Sequence, residues 1–150
     1  MGAALAHRGP DDSGIFHDLK EGIGLAFRRL SILDLSAEGH QPMYSASGRF
    51  VMVFNGEVYN FEEIRGELGP HQWRGHSDTE VILEAFERWD VEAAVQRFVG
   101  MFAIALWDRQ ERKLHLIRDR LGIKPLYYGR AGSAFVFWFR AESYMAASGV

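Results

Sequence analysis

Strands at both ends of the chain and two or three helices between them predict an α+β fold, with helices packed on stacked, mainly antiparallel sheets. Three observations carry this reading. Short β-branched and aromatic runs bounded by turn formers lie near both ends, apolar residues recur at helical spacing between residues 61 and 98, and no regular strand–helix alternation marks a doubly wound parallel sheet. The 150 residues are 47% apolar and 25% charged, which suits one globular domain without a linker or repeat. A chain of this length buries roughly 70% of its unfolded surface, enough for a core without metals or disulfides.

The elements follow in order. Residues 7–14 are dense in turn formers and read as an ordered loop. Two β-type patches, 23–27 and 30–35, read as strands, with Arg28 and Arg29 at the bend between them. A second loop at 39–42 leads to a compact β-branched and aromatic strand, 49–54, that ends at Asn55 and Gly56. Asn60 with Glu63 forms a capping-box pattern, and Phe61, Ile64 and Leu68 then mark a short helix. Ser77 with Glu80 repeats that pattern before an apolar stripe of Val81, Ile82, Ala85, Phe86 and Trp89. Asp90 is placed to cap a further helix through Val95 and Phe98. Runs 101–107 and 113–118 flank the polar turn 108–112 as a hairpin, and Tyr127, Tyr128 and 134–139 supply the last strands.

Composition excludes several functions. Seventeen Lys and Arg against twenty Asp and Glu give a net charge of -3, so neither nucleic acid nor a polybasic membrane contact is expected. The longest apolar stretch, 98–107, is far short of the roughly 18 residues of a spanning helix, and residues 1–6 lack the features of a signal peptide. A cytoplasmic location and small-molecule or protein partners follow as expectations. The chain has no cysteine, which removes disulfides, thiolate metal sites and a cysteine nucleophile from within it.

Two readings of Asn55 and Gly56 stand side by side. Asn-Gly is the strongest short hairpin signal. It also offers a carboxamide beside an unobstructed backbone N–H, two donors suited to the oxyanion formed when an amide is hydrolysed or transferred. Arg29 reads either as a surface charge or as a bidentate carboxylate ligand, and Asp78 either as a helix-dipole acid or as an ammonium ligand. Arg29, Glu57 and Asp78 together would grip the zwitterionic end of an amino acid. Adjacent positions cannot aim His76, Ser77 and Asp78 at one another as a triad requires. The six histidines lack metal-ligand spacing, so no metal site is expected. Glu57, Glu62 and Glu63 do not make a glycosidase pair, because Glu62 and Glu63 fall in a first helical turn. Arg118, Asp119 and Arg120 read as a self-paired surface cluster.

Seven segments then fall into a known order: 7–14 (HRGPDDSG), 29–34 (RLSILD), 39–43 (GHQPM), 54–61 (FNGEVYNF), 77–83 (SDTEVIL), 100–108 (GMFAIALWD) and 118–128 (RDRLGIKPLYY). Over residues 7–137 the chain closely resembles the glutaminase domain, a class II glutamine amidotransferase, of glutamine-hydrolysing asparagine synthetases. The resemblance implies an N-terminal-nucleophile hydrolase fold of two stacked antiparallel sheets with helical layers. It implies that Asn55 and Gly56 are the oxyanion donors, and that Arg29 holds the substrate carboxylate with Leu30, Ser31, Ile32 and Leu33 lining the pocket. Glu57 and Asp78 then bind the α-amine of L-glutamine. In such enzymes an N-terminal cysteine attacks the glutamine side-chain amide, and the ammonia passes to a synthetase domain that uses ATP and magnesium to adenylate aspartate.

The departures from that pattern shape the expectation. The family's first strand and its cysteine have no counterpart here, nor does the synthetase domain, and Ser13 lacks the terminal amine that would activate it. Residues 1–150 are therefore expected to be a partial domain with no cofactor of its own, inactive alone. The alternative is a nucleophile-free glutamine-binding or scaffold module. Phe27 stands where the family usually has histidine. Residues 138–150 leave the family pattern, and a one-base frame slip at Trp138 with suitably chosen codons yields Gly-Ser-Glu-Leu-Lys-Ala-Ile-Trp-Arg-His-Pro, a family-like continuation.

Overall fold

The computed structural model describes residues 12–29 and 40–139, with 12, 13, 28 and 29 by backbone alone. Its centre is a four-stranded antiparallel sheet in the order β3-β4-β5-β6, formed by Met43–Tyr44, Phe50–Val58, Gly100–Asp108 and Lys113–Arg118. Two antiparallel ribbons accompany it, β1 (Asp12–Asp18) with β2 (Ile23–Arg29), and β7 (Tyr127–Ala131) with β8 (Ala134–Trp138). Three helices, α1 (Phe61–Leu68), α2 (Asp78–Trp89) and α3 (Val91–Arg97), fill the connection between β4 and β5. The α+β reading with antiparallel sheets holds.

The two long central strands are apolar on both faces because both faces are covered. Along β4, Phe50, Met52, Phe54 and Val58 join the helix-side core, whereas Val51 and Val53 join the ribbon side. β5 alternates likewise, with Phe102, Ile104 and Leu106 toward the helices and Ala105 and Trp107 toward the ribbons. Phe86 of α2 anchors the helix side, its ring 6.2 Å from Phe50 and 5.7 Å from Phe98. Phe16 of β1 and Leu25 of β2 pack on the opposite face with Val51, Val53, Ala105 and Trp107.

Several local expectations change. Asp12, Ser13 and Gly14 belong to β1 rather than to a loop, and Arg28 and Arg29 lie within β2 rather than at a bend. The patch 30–35 lies outside the described residues. Asn60 does not cap α1 through its side chain; its Nδ2 donates to the Arg97 carbonyl at 3.0 Å and its Oδ1 accepts from the Val99 N–H at 2.9 Å. The asparagine thus ties the start of α1 to the entry of β5, a long-range demand that outweighs the local cap. Asp90 does cap α3, accepting from the Ala93 N–H at 2.9 Å.

The cluster at 118–120 is not self-paired. Asp119 is buried, and its carboxylate accepts from the N–H groups of Phe102, Ile123 and Lys124. Arg118 donates to the carbonyls of Gly122 and Lys124, and Arg120 to those of Gln96 and Phe98. Unsatisfied backbone groups in a turn between packed elements attract these charges more strongly than neighbouring side chains do.

Candidate functional site

Asn55 and Gly56 lie inside β4, opposite Ala103 and Phe102 of β5, so the hairpin-turn reading is excluded. Gly56 has φ 148, a conformation that favours glycine, and a methyl group there would sit 2.1 Å from the Met101 carbonyl oxygen. Gly100 is the reciprocal case: a methyl group on it would lie 2.1 Å from the Glu57 carbonyl oxygen. The two glycines let β4 and β5 close up where the candidate residues sit.

β3 pairs with β4 only at Met43↔Met52 and Tyr44↔Val51, and among the described residues the outer edge of β4 has no strand partner beyond Met52. Side chains take over there. The buried Gln41 presents Oε1 to the Phe54 N–H at 2.6 Å, and Asp78 presents Oδ2 to the Val58 N–H at 3.0 Å. Asn55, Gly56 and Glu57 occupy the interval between these two anchors. Asn55 and Gly56 are half-buried, and Glu57 is exposed.

Asp78 opens α2, and its carboxyl lies close enough to Glu57 to feel its charge. Burial, the largest influence, and the Glu57 charge push the Asp78 carboxyl above the usual aspartate range, against the hydrogen bonds from Val58 and Thr79 that pull it down. Two negative groups brought together, one of them poorly solvated, make a place for a cation.

Two residues on, Glu80 behaves in the opposite way. It is buried, but its carboxylate accepts from the N–H groups of Arg74 and Gly75 and pairs with the Arg74 guanidinium at 3.2 Å. Burial alone would push it up; those bonds outweigh burial and hold it below the usual glutamate range. Ser77 makes no side-chain cap, so Glu80 secures the loop leading into α2 and thereby the position of Asp78. The Arg74 guanidinium extends the staple to the Tyr44 carbonyl at 3.0 Å.

The structure therefore brings Asn55, Gly56, Glu57 and Asp78 to one end of β4. Strand β2, whose last residue is Arg29, packs against β4 through its own core residues. The side chain of Arg29 and all of Leu30, Ser31, Ile32 and Leu33 lie outside the described residues. Neither Gln41 nor Glu80 is a predicted site residue. Gln41 carried no local signal, and Glu80 was read as a capping partner; both act by long-range bonds to main chain.

The described residues form an α+β domain of antiparallel sheets that brings Asn55, Gly56, Glu57 and Asp78 to one strand end. The family model of the glutamine amidotransferase domain matches residues 1–149, and the chain belongs to that family. It is 43% identical over 137 residues to asparagine synthetase [glutamine-hydrolyzing] 2 of Bacillus subtilis, covering 91% of this chain and 18% of that protein. A putative asparagine synthetase of Mycobacterium tuberculosis H37Rv is 43% identical over 142 residues, with 87% and 22% covered. A putative asparagine synthetase of Methanocaldococcus jannaschii is 39% identical over 153 residues, with 91% and 29% covered. The chain thus spans less than a third of the length of these relatives. Among solved structures, the glutamine phosphoribosylpyrophosphate amidotransferase of B. subtilis superposes with a TM-score of 0.71 at 19% identity, over 90% of this chain and 37% of that one. The fold is that of the N-terminal-nucleophile amidotransferases.

Proposed function

We propose that this chain is the glutamine-recognising part of an asparagine synthetase, acting in the cytoplasm. The observation that carries the reading is the Asp78–Val58 hydrogen bond of 3.0 Å, which sets a poorly solvated carboxylate beside Glu57 and next to Asn55 and Gly56 on one strand. Glu57 and Asp78 take the α-ammonium of L-glutamine, and Arg29 takes its carboxylate, with Leu30, Ser31, Ile32 and Leu33 along the side chain. The substrate's amide carbonyl then reaches Asn55 and Gly56. The Phe54 and Val58 N–H groups are already engaged by Gln41 and Asp78, which leaves the Gly56 N–H and the Asn55 carboxamide for the oxyanion of a tetrahedral intermediate.

Hydrolysis needs a nucleophile. No cysteine occurs in the 150 residues, so the chain alone binds glutamine without turning it over. ATP and magnesium belong to the synthetase portion of the full protein, which would receive the ammonia. The family match runs on through residue 149, and the coding sequence through Trp138 decides whether residues 138–150 are in frame.

Calorimetry with L-glutamine tests the binding claim. Heat that disappears in Arg29→Ala and Asp78→Ala supports it, and a silent titration of the unaltered chain overturns it. The lack of any thiol favours a second reading, a nucleophile-free binding module. Supplying the cysteine-bearing first strand separates the two: ammonia release identifies a glutaminase part, and binding without release identifies the module.

A further inference from the structure

Segments 7–14 and 39–43 have no chemical role in the mechanism above, yet the structure joins them at one point. Gly14 of β1 lies against the main chain of the second segment: a methyl group on it would sit 2.0 Å from the Gln41 carbonyl oxygen and 2.8 Å from His40 Nε2. No side chain fits there, so β1 and the Gln41 main chain are in direct apposition. Pro42 follows through a cis peptide bond, and Met43 enters β3. The Gln41 side chain, 7% exposed, then crosses to the outer edge of β4 and accepts from the Phe54 N–H at 2.6 Å.

This bond falls where the pairing with β3 stops. Met52 is the last residue of β4 paired with β3, and Phe54 is the next whose N–H faces away from β5. A single buried side-chain carbonyl therefore stands in for a strand, one residue before Asn55. Without it the outer edge beyond Met52 would be held, among the described residues, only at Val58 by Asp78, and Asn55 and Gly56 would keep their β5 partners but lose the outer-edge anchor next to them.

We propose that Gln41 is a positioning residue that fixes the direction of the Asn55 and Gly56 donors. It transmits to them the placement of β1 through the Gly14 contact. The inference rests on the reading of Asn55 and Gly56 as amide-recognising donors, but its first test does not use glutamine.

Gln41→Met keeps the length of the side chain and removes the acceptor; Gln41→Glu keeps an acceptor oxygen in either protonation state. Amide hydrogen exchange and amide NMR shifts of the unliganded chain are the primary readout. In Gln41→Met the Phe54 N–H exchanges about tenfold faster, the equivalent of one lost hydrogen bond, and the Asn55 and Gly56 resonances move, while amides along β5 and β6 keep their protection. Gln41→Glu restores the original pattern. A folded Gln41→Met protein with unchanged Phe54 exchange and unmoved Gly56 resonances overturns the proposal, as does a uniform loss of protection across β5 and β6. Should Gln41→Met not fold, Gly14→Ala serves instead, and there too the Phe54, Asn55 and Gly56 amides must respond first.

Glutamine is the second readout. The glutamine-induced shift at Gly56 should vanish in Gln41→Met and return in Gln41→Glu. If the unaltered chain shows no response to glutamine, the substrate reading fails, and the unliganded exchange data still decide the role of Gln41.

Discussion

The two faces of the central sheet are covered in different ways. On the helix side, side chains from all three helices interlock with β4 and β5, and Phe50, Ile82, Phe86, Phe98 and Ile104 are almost wholly buried. On the ribbon side the buried set among the described residues is small, Phe16, Leu25, Val51, Val53, Ala105 and Trp107, and the outer aromatics Tyr128 and Phe135 stand 68% and 54% exposed. Trp107 Nε1 is buried there without a hydrogen-bond partner among the described residues. Among the described residues most of the buried apolar side chains lie in the helix layer, while the candidate site sits at the end of β4 where Gln41 and Asp78 replace strand pairing on its outer edge. A rigid floor with a locally pinned edge suits a site that must hold donors still.

Core truncations probe this contrast most strongly. Phe86→Ala should cost about 4 kcal/mol in urea unfolding, and Leu25→Ala on the ribbon side about 2 kcal/mol. Equal losses would erase the distinction. At the site end, Gly56→Ala should cost about 3 kcal/mol, because the atoms in its way belong to the main chain of β5. Asp119→Ala should cost about 2 to 3 kcal/mol, since three N–H groups around the 119–124 turn lose their acceptor.

The pH profile sharpens the comparison further. Glu80, Asp108 and Asp119 have carboxyls held below their ordinary values, in each case by hydrogen bonds that outweigh burial. Their stabilisation is complete above the ordinary values of 3.8 and 4.5 and is lost as pH falls through the folded ones, so acid unfolding should steepen there. Asp78 has the opposite sign. Its carboxyl is raised, so it favours the folded state below 3.8 and withdraws that support as pH rises through its folded value. Asp78→Asn should therefore raise stability at pH 7 by about 1 kcal/mol while abolishing glutamine binding. A thermal melt and a titration of the same sample check both halves, and a destabilised Asp78→Asn chain would break the assignment.

Much of the fold was legible from periodicity. The hairpin of β5 and β6, the stripe of α2 and the last ribbon follow from local pattern, and the Asp90 cap was found because its partner, Ala93, is three residues away. The errors share one cause. Asn60, Ser77 and the 118–120 cluster all promised local pairings, and Asn60, Arg118, Asp119 and Arg120 instead satisfy main-chain groups brought close by the fold. Asn55 and Gly56 looked like a turn because no single-strand pattern reveals that β5 must approach within a methyl group's reach. Residue chemistry suggested Glu57 and Asp78 as joint ammonium ligands, but spacing could not bring them together, since 21 positions separate them and Val58 supplies the link.

The reciprocal closeness of Gly56 and Gly100 has a practical side. Each glycine makes room for the main chain of the opposite strand, Met101 in one case and Glu57 in the other. A neighbouring side chain cannot be trimmed to compensate, because no side chain is in the way. Anyone transplanting the Asn55–Glu57 segment to another scaffold must therefore carry Gly100 with it, and a randomised library at either position should return glycine almost alone.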